Sequence, residues 1–217
     1  MNNTQLVSTD SIHRYQRLAP VYNIIARLFY HRYRALSSAA LELARGQTVL
    51  DLACGTGLNL PFIQEGITGS GRVVAVDGSS AMLARAAKLA QRRGWKNVET
   101  VRADLATATG LSQMLGLRDA PVDAVLCTLG FSVIPHWQRV LERSYDHLKP
   151  KGHFVVMDCH FPRRSVMCRL VNAVAQADSS RRPWEELRKY GSKYRAEHYP
   201  FFGGSVFIAR TTRDPAQ

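Results

Sequence analysis

The chain has 217 residues, of which 46% are apolar and 21% charged, the composition of a folded globular domain. That excludes a disordered tail, and four widely spaced cysteines exclude a disulfide-stapled secreted scaffold. Lys and Arg number 29 against 17 Asp and Glu, a formal net charge of +12, which favours an anionic partner (nucleic acid, an acidic substrate or a membrane surface) and carries no information on fold.

The first residues, MNNTQLVSTDS, are polar and do not read as a signal peptide. Ile12, Tyr15, Ala19, Tyr22, Ala26, Phe29, Tyr33 and Leu36 then recur at helical spacing and predict one apolar stripe. Pro20 lacks a backbone donor and should divide this stretch into two helices. Arg14, Arg17, Arg27, Arg32 and Arg34 are expected to flank the stripe.

From about residue 47, short Val- and Leu-rich runs alternate with helical stretches. The runs Thr48–Leu52, Arg72–Val76, Val98–Arg102, Val122–Cys127 and His153–Asp158 predict strands. Helices are predicted between them, over Leu58–Glu65, Ser79–Arg93, Thr107–Leu115 and His136–Leu148. This alternation implies an α/β fold, a mostly parallel sheet with helices on both faces. Two further helices are predicted near Ser165–Ala177 and Pro183–Tyr190, then strands over Lys193–Tyr199 and Gly204–Arg210 joined by an FFGG hairpin turn. No run of about 18 uninterrupted apolar residues predicts a membrane-crossing helix. Cys54, Cys127, Cys159 and Cys168 make no CxxC pair, so buried reduced thiols are expected and no metal site.

The chemistry concentrates in Val49-Leu50-Asp51-Leu52-Ala53-Cys54-Gly55-Thr56-Gly57, a strand running into a glycine-rich turn and a helix. Gly55 and Gly57 allow the backbone to pass close to a ligand, and open α/β sheets bind ligands beyond the carboxyl ends of their strands. Asp77 ends the second strand, where an acid can accept both ribose hydroxyls. Asp104 follows the third strand, where an acid can receive an adenine amino group, and Leu148-Lys149-Pro150-Lys151-Gly152-His153 leads into the fifth. A nicotinamide-binding fingerprint would place a third glycine where Leu60 stands.

Together these residues resemble the class I S-adenosylmethionine-dependent methyltransferases over roughly residues 12–210. DLACGTG, VDGSSAML and RADL look like the family's first three motifs, and YQRLAPVYN looks like the opening helix of the branch with ubiquinone/menaquinone C-methyltransferases and some phospholipid N-methyltransferases. Both acids of that opening motif are replaced, by Gln16 and Asn23. The resemblance implies a Rossmann-like seven-stranded sheet with its last strand antiparallel. It implies an N-terminal helical lid over 1–46 and an S-adenosyl-L-methionine-binding α/β domain over 47–217, with a substrate-flanking insertion at about 161–192. By position, Gly55 and Gly57 would approach the methionine part, Asp51 would hold its ammonium directly or through water, Asp77 would bind the ribose, Met82, Asp104 and Leu105 would meet the adenine, Thr128 and Leu129 would floor the site, and Ala53 and Gly78 would also be cofactor-binding. Tyr15 and Tyr22 would lie over the ligand or in the core, and with His136 and His160 they are the candidate catalytic groups.

The implied reaction is methyl transfer to a small or lipid-like, possibly anionic, acceptor. The segment after the fourth strand, CTLGFSVIPHW, lacks the Asn/Asp-Pro-Pro-Tyr signature of nucleic-acid amino methyltransferases. Phe131, Val133 and Ile134 in it read equally as an acceptor surface or as core. Arg181 and Arg182 read as a solvated face or as a contact for an anionic acceptor. Alternatives are cyclisation of the aminobutyl chain of S-adenosylmethionine itself with release of methylthioadenosine, a non-catalytic S-adenosylmethionine-binding protein, and an RNA methyltransferase. Charge separates the regions: 1–46 carries +4, 47–160 carries +2 and 161–217 carries +6. The expectation is a cytoplasmic protein with possible peripheral membrane contact, nucleic acid being disfavoured and the oligomeric state open.

Overall fold

In a computed structural model, residues 29–107 and 121–215 are described. A helix, α1, covers 29–39 of the described chain. It is followed by β1 (Thr48–Leu52), α2 (Leu60–Gly66), β2 (Arg72–Asp77), α3 (Ser80–Arg92), β3 (Val98–Arg102) and β4 (Val122–Thr128). Then come α4 (Trp137–Asp146), β5 (Leu148–His160), α5 (Val166–Ala175), α6 (Pro183–Leu187), β6 (Ser192–Phe201) and β7 (Gly204–Thr212). Tyr15, Tyr22, Pro20 and nearly all of the helix expected over Thr107–Leu115 lie outside the described residues.

The seven strands form one sheet in the order β3-β2-β1-β4-β5-β7-β6. β1 pairs in parallel with β2 and with β4, β2 with β3, and β4 with β5. β7 runs antiparallel to both β5 and β6. The strand order reverses between β1 and β4, so a crevice opens there beyond the strand carboxyl ends.

Side-chain alternation along the strands feeds two cores. Leu50 and Leu52 of β1 join Val125, Phe154, Trp137, Val140 and Phe207 on one face. Val49 joins Leu60, Ile63, Leu83, Ala86 and Tyr33 on the other, beneath α1, α2 and α3. Covering on both faces is why β1, β2 and β4 read as nearly unbroken apolar runs, while the edge strand β3 does not.

Three expectations need correction. The helix α2 starts at Leu60, two residues later than expected, because the loop through Gly57 (φ +82°) delays it and Pro61 occupies its first turn. β5 begins at Leu148 rather than His153, since the LKPKGH segment joins the sheet through a register shift opposite Val122 and Ala124. The stripe on α1 is rotated: Phe29 and Leu36 are exposed, whereas Tyr33, Arg34, Ser37 and Ser38 are buried. Small serines and a hydrogen-bonded arginine let α1 sit close to the strand ends, so tertiary contact rather than apolar spacing sets its inner face.

Candidate functional site

A cleft partly open to solvent lies beyond the carboxyl ends of β1 to β4. Each strand end delivers a short turn to it. After β1, Ala53 turns left-handed (φ +51°), and after β4 Leu129 does the same (φ +56°). Such conformations are costly for residues with a side chain and cluster at ligand sites. Both turns are anchored to the neighbouring strand: Cys54 N donates to Val76 O at 2.9 Å, and Leu129 N to Met157 O at 2.7 Å.

Asp77 closes β2 and organises the glycine-rich loop. Its Oδ2 accepts from Gly55 N at 2.9 Å and its Oδ1 from Ser79 N at 2.8 Å. Burial pushes its carboxyl up, and these backbone donors oppose the shift. Gly78 is a third backbone donor to this carboxylate, and a carboxylate can accept about four hydrogen bonds, which leaves capacity for a hydroxyl in the cleft. Ser79 caps α3 by accepting from Met82 N at 3.3 Å, which brings Met82 to the wall. Asp104 Oδ1 accepts from Ala106 N at 3.0 Å, holding the turn after β3 beside Leu105.

The two glycines differ. Gly55 lines the cleft, and a Cβ built there would meet nothing within 4 Å. A Cβ at Gly57 would meet Leu60 Cδ1 at 2.7 Å and Ala86 Cβ at 3.1 Å. Gly57 therefore serves the packing of the loop on α3, and the cleft wall passes from Thr56 to Leu58 without it.

At the β1/β4 end lies a buried polar network. Arg34 Nη1 donates to Asn59 Oδ1 at 2.7 Å and to Thr128 Oγ1 at 2.6 Å. Asn59 Nδ2 donates to Asp51 Oδ1 at 2.8 Å. Asp51 is fully buried, and its Oδ2 has no hydrogen-bond partner. Burial raises its pKa to about 7, against the pull of the Asn59 hydrogen bond and the Arg34 charge. An unpartnered buried carboxylate oxygen beside an arginine suits a ligand end carrying both an ammonium and a carboxylate.

Of the residues singled out from sequence, Ala53, Gly55, Asp77, Gly78, Met82, Asp104, Leu105, Thr128 and Leu129 line this one cleft. Asp51 and Gly57 stand behind its wall. His136 caps α4 on the exposed surface, next to the lining residue Pro135. His160 faces a separate depression with Arg163, Ser180 and Arg182, its ring 4.9 Å from that of Trp184. Neither histidine lines the cleft.

Sequence reasoning missed Arg34 and Asn59. Arg34 looked like one of several flanking arginines, and only its fold neighbours distinguish it. The opposite wall is Val133, Ile134 and Pro135, while Phe131 is fully buried in the core. This segment is braced from behind. Asp158 accepts from Ser132 N at 2.9 Å and from Ser132 Oγ at 3.1 Å. Arg181 Nη1 donates to the carbonyls of Phe131 and Ile134 at 2.6 and 2.7 Å, so this half-buried side chain is tied to the wall from behind rather than turned to the cleft. Arg182 is exposed and paired with Glu185 at 2.8 Å.

Residues 49–152 match the family described as "Methyltransferase domain". The chain is 29% identical over 159 residues to the chloroplastic 2-phytyl-1,4-beta-naphthoquinone methyltransferase of Arabidopsis thaliana, covering 70% of this chain and 58% of that protein. It is 25% identical over 158 residues to a demethylmenaquinone methyltransferase of Listeria welshimeri, covering 70% of this chain and 64% of the relative. The chain thus spans less than two thirds of the length of these relatives. A crystal structure of an S-adenosylmethionine-dependent methyltransferase from Aquifex aeolicus shares the fold at a TM-score of 0.55 with 18% identity, over 82% of this chain and 88% of that one.

Proposed function

We propose that this chain is a class I S-adenosylmethionine-dependent methyltransferase and that it methylates a small, lipid-like acceptor of the quinone class. The observation that carries this reading is the apolar wall of Leu129, Val133, Ile134 and Pro135, which faces the same cleft as Asp77 and Asp104. An apolar wall next to polar strand-end residues suits an acceptor that buries a ring or tail against it. The relatives named for naphthoquinone and demethylmenaquinone substrates support the acceptor class.

S-adenosylmethionine supplies, when bound, a methyl group on a positively charged sulfur that leaves readily. The residues present fit it. Asp77 would accept the ribose hydroxyls, with Gly55 leaving room for the approach. Met82 and Leu105 would flank the adenine, and Asp104 would meet its edge. Arg34, which lines the cleft, would take the carboxylate, while Asp51, behind the wall, would act on the ammonium through its charge or through a water that also partners its lone oxygen. The cleft lining contains no histidine or tyrosine among the described residues. The protein's contribution is then alignment of the acceptor and exclusion of water rather than strong base catalysis.

The test is incubation of purified protein with S-adenosylmethionine, alone and with a reduced demethylated naphthoquinone, followed by mass spectrometry. S-adenosylhomocysteine and a methylated acceptor, formed together and only in the second mixture, are expected. Methylthioadenosine formed without acceptor would replace methyl transfer by self-cyclisation, and methylation of polynucleotide instead of the quinol would overturn the acceptor class.

A further inference from the structure

The helix α5 is apolar nearly all round, yet it lies on the surface. Its inner side, Met167, Cys168 and Val171, rests on Cys159, Phe161 and Phe201. Its outer side carries Val166, Leu170 and Val174, one helical turn apart and 71%, 55% and 62% exposed. Asn172 is turned inward and accepts from Ser179 N and Oγ at 2.9 and 2.7 Å. A helix with apolar residues on both sides is ordinarily covered on both.

The exposed apolar surface extends beyond α5. Phe201 packs against Phe161, with ring centres 6.5 Å apart, and also against Phe202 at 4.8 Å. Phe202 forms the tip of the β6–β7 hairpin, is 61% exposed, and meets the exposed Phe29 of α1 at 5.8 Å. Five of the six exposed large apolar side chains among the described residues therefore lie around one small cluster. The charge around it is predominantly positive. From Cys159 to Ala177 there is no acidic residue, and Arg163, Arg164 and Arg169 are all exposed. Long arginine side chains beside an apolar helix face are suited to phosphate-bearing headgroups.

From the outward Val166–Leu170–Val174 face, its arginine flank and the Phe202 tip, we infer that α5 and the β6–β7 turn form a docking face for an anionic lipid bilayer. No described helix is long and apolar enough to cross a membrane, so the contact is one of lying on the surface. The charge complementarity selects an anionic bilayer over an apolar protein groove, because the patch carries three arginines and, among the described residues, only Arg163 has an acid, Asp178, acting on it. The inference stands whatever acceptor the cleft takes.

The experiment is co-sedimentation of the full chain with vesicles of phosphatidylcholine alone and of phosphatidylcholine and phosphatidylglycerol in equal parts, at low and high salt. Binding to the mixed vesicles, weakened by salt and lost on phosphatidylcholine, is expected. The variant Val166→Glu/Leu170→Glu/Val174→Glu should lower vesicle binding at least about tenfold with an unchanged Tm. Arg164→Glu/Arg169→Glu, which touches no apolar contact, should lower it comparably and decides the matter if the first variant fails to fold. Absence of binding by the parent chain, or equal binding by the arginine variant, overturns the inference. So does retained vesicle binding with a fall in Tm in the glutamate variant, which would mean that residues 1–28 or another part of the chain cover the face. Conversion of a dimer to a monomer by the glutamate variant, with vesicle binding retained, would make a second copy the occupant and also overturn it.

Discussion

Gly55 and Gly57 belong to one loop and one motif, but their substitution should fail in different ways. Alanine at 57 would drive a Cβ into Leu60 and Ala86 in a left-handed backbone, so Gly57→Ala is expected to cost about 2–4 kcal/mol in urea denaturation. Alanine at 55 meets no protein atom and should cost only about 1 kcal/mol of stability, for its φ of +57°. Its methyl would occupy ligand space, so calorimetry should show a larger loss in S-adenosylmethionine affinity than in stability. Arg34→Lys should weaken that affinity about tenfold or more, since an ammonium bonded to Asn59 and Thr128, as Nη1 is, has no second nitrogen to offer the ligand carboxylate. Asp51 adds a pH dependence. Its folded pKa is raised to about 7, so the folded chain without ligand holds a proton that the unfolded chain has already released. Its contribution to stability is present in acid and is lost as pH rises from the ordinary carboxylate range through about 7. The stability of Asp51→Asn relative to the parent should therefore rise across that window and level off above it. The motif residues Asp77 and Asp104 were legible because their roles follow from position at a strand end. Arg34 and Asn59 were not, because their partners Thr128 and Asp51 are distant in the chain.

The element that shapes the acceptor side is the segment 130–135, and it is held by groups outside the cleft. Removing Asp158, which is fully buried and accepts from Ser132 N, Ser132 Oγ and Cys159 N, should cost about 2–4 kcal/mol, because three donors lose their acceptor. Arg181→Ala should leave S-adenosylmethionine affinity intact and lower kcat/KM for the acceptor about tenfold or more, since the wall carrying Val133 and Ile134 loses both Arg181 bonds to the 178–182 loop and keeps the one from Asp178 N to Ser132 O. Steady-state kinetics beside calorimetry separates the two effects. Strands were the most legible elements: β1 coincides with its apolar run, since a strand buried on both faces has little freedom in composition, and the half-exposed edge strand β3 was still marked by its Val and Thr residues. Helices were less so. The inner face of α1 is built from Tyr33, Arg34, Ser37 and Ser38, which no hydrophobic periodicity would select. The apolar face of α5 was legible as a helix, but nothing in its spacing tells that its outer side stays uncovered.

Across the whole molecule, the cleft gathers the ends of four strands and α1, so its ligand should stabilise the entire sheet. Saturating S-adenosylhomocysteine is expected to raise Tm by the linkage of about 2.7 kcal/mol at a hundredfold excess over Kd, whereas a nicotinamide dinucleotide should leave it unchanged. The order of the sheet has a further consequence, for the time course of synthesis. β7 is paired with β5 on one side and β6 on the other, and both are made before it. Until β7 leaves the ribosome, β5 has an open edge and β6 has no strand to join. The emerging chain must therefore keep a slot vacant in an otherwise finished sheet, with the Val206–Ala209 stretch, buried in the completed fold, arriving last to fill it. A ribosome halted beyond β6 but short of β7 would hold a nascent chain with two adhesive edges, the form most exposed to mispairing and to capture by chaperones.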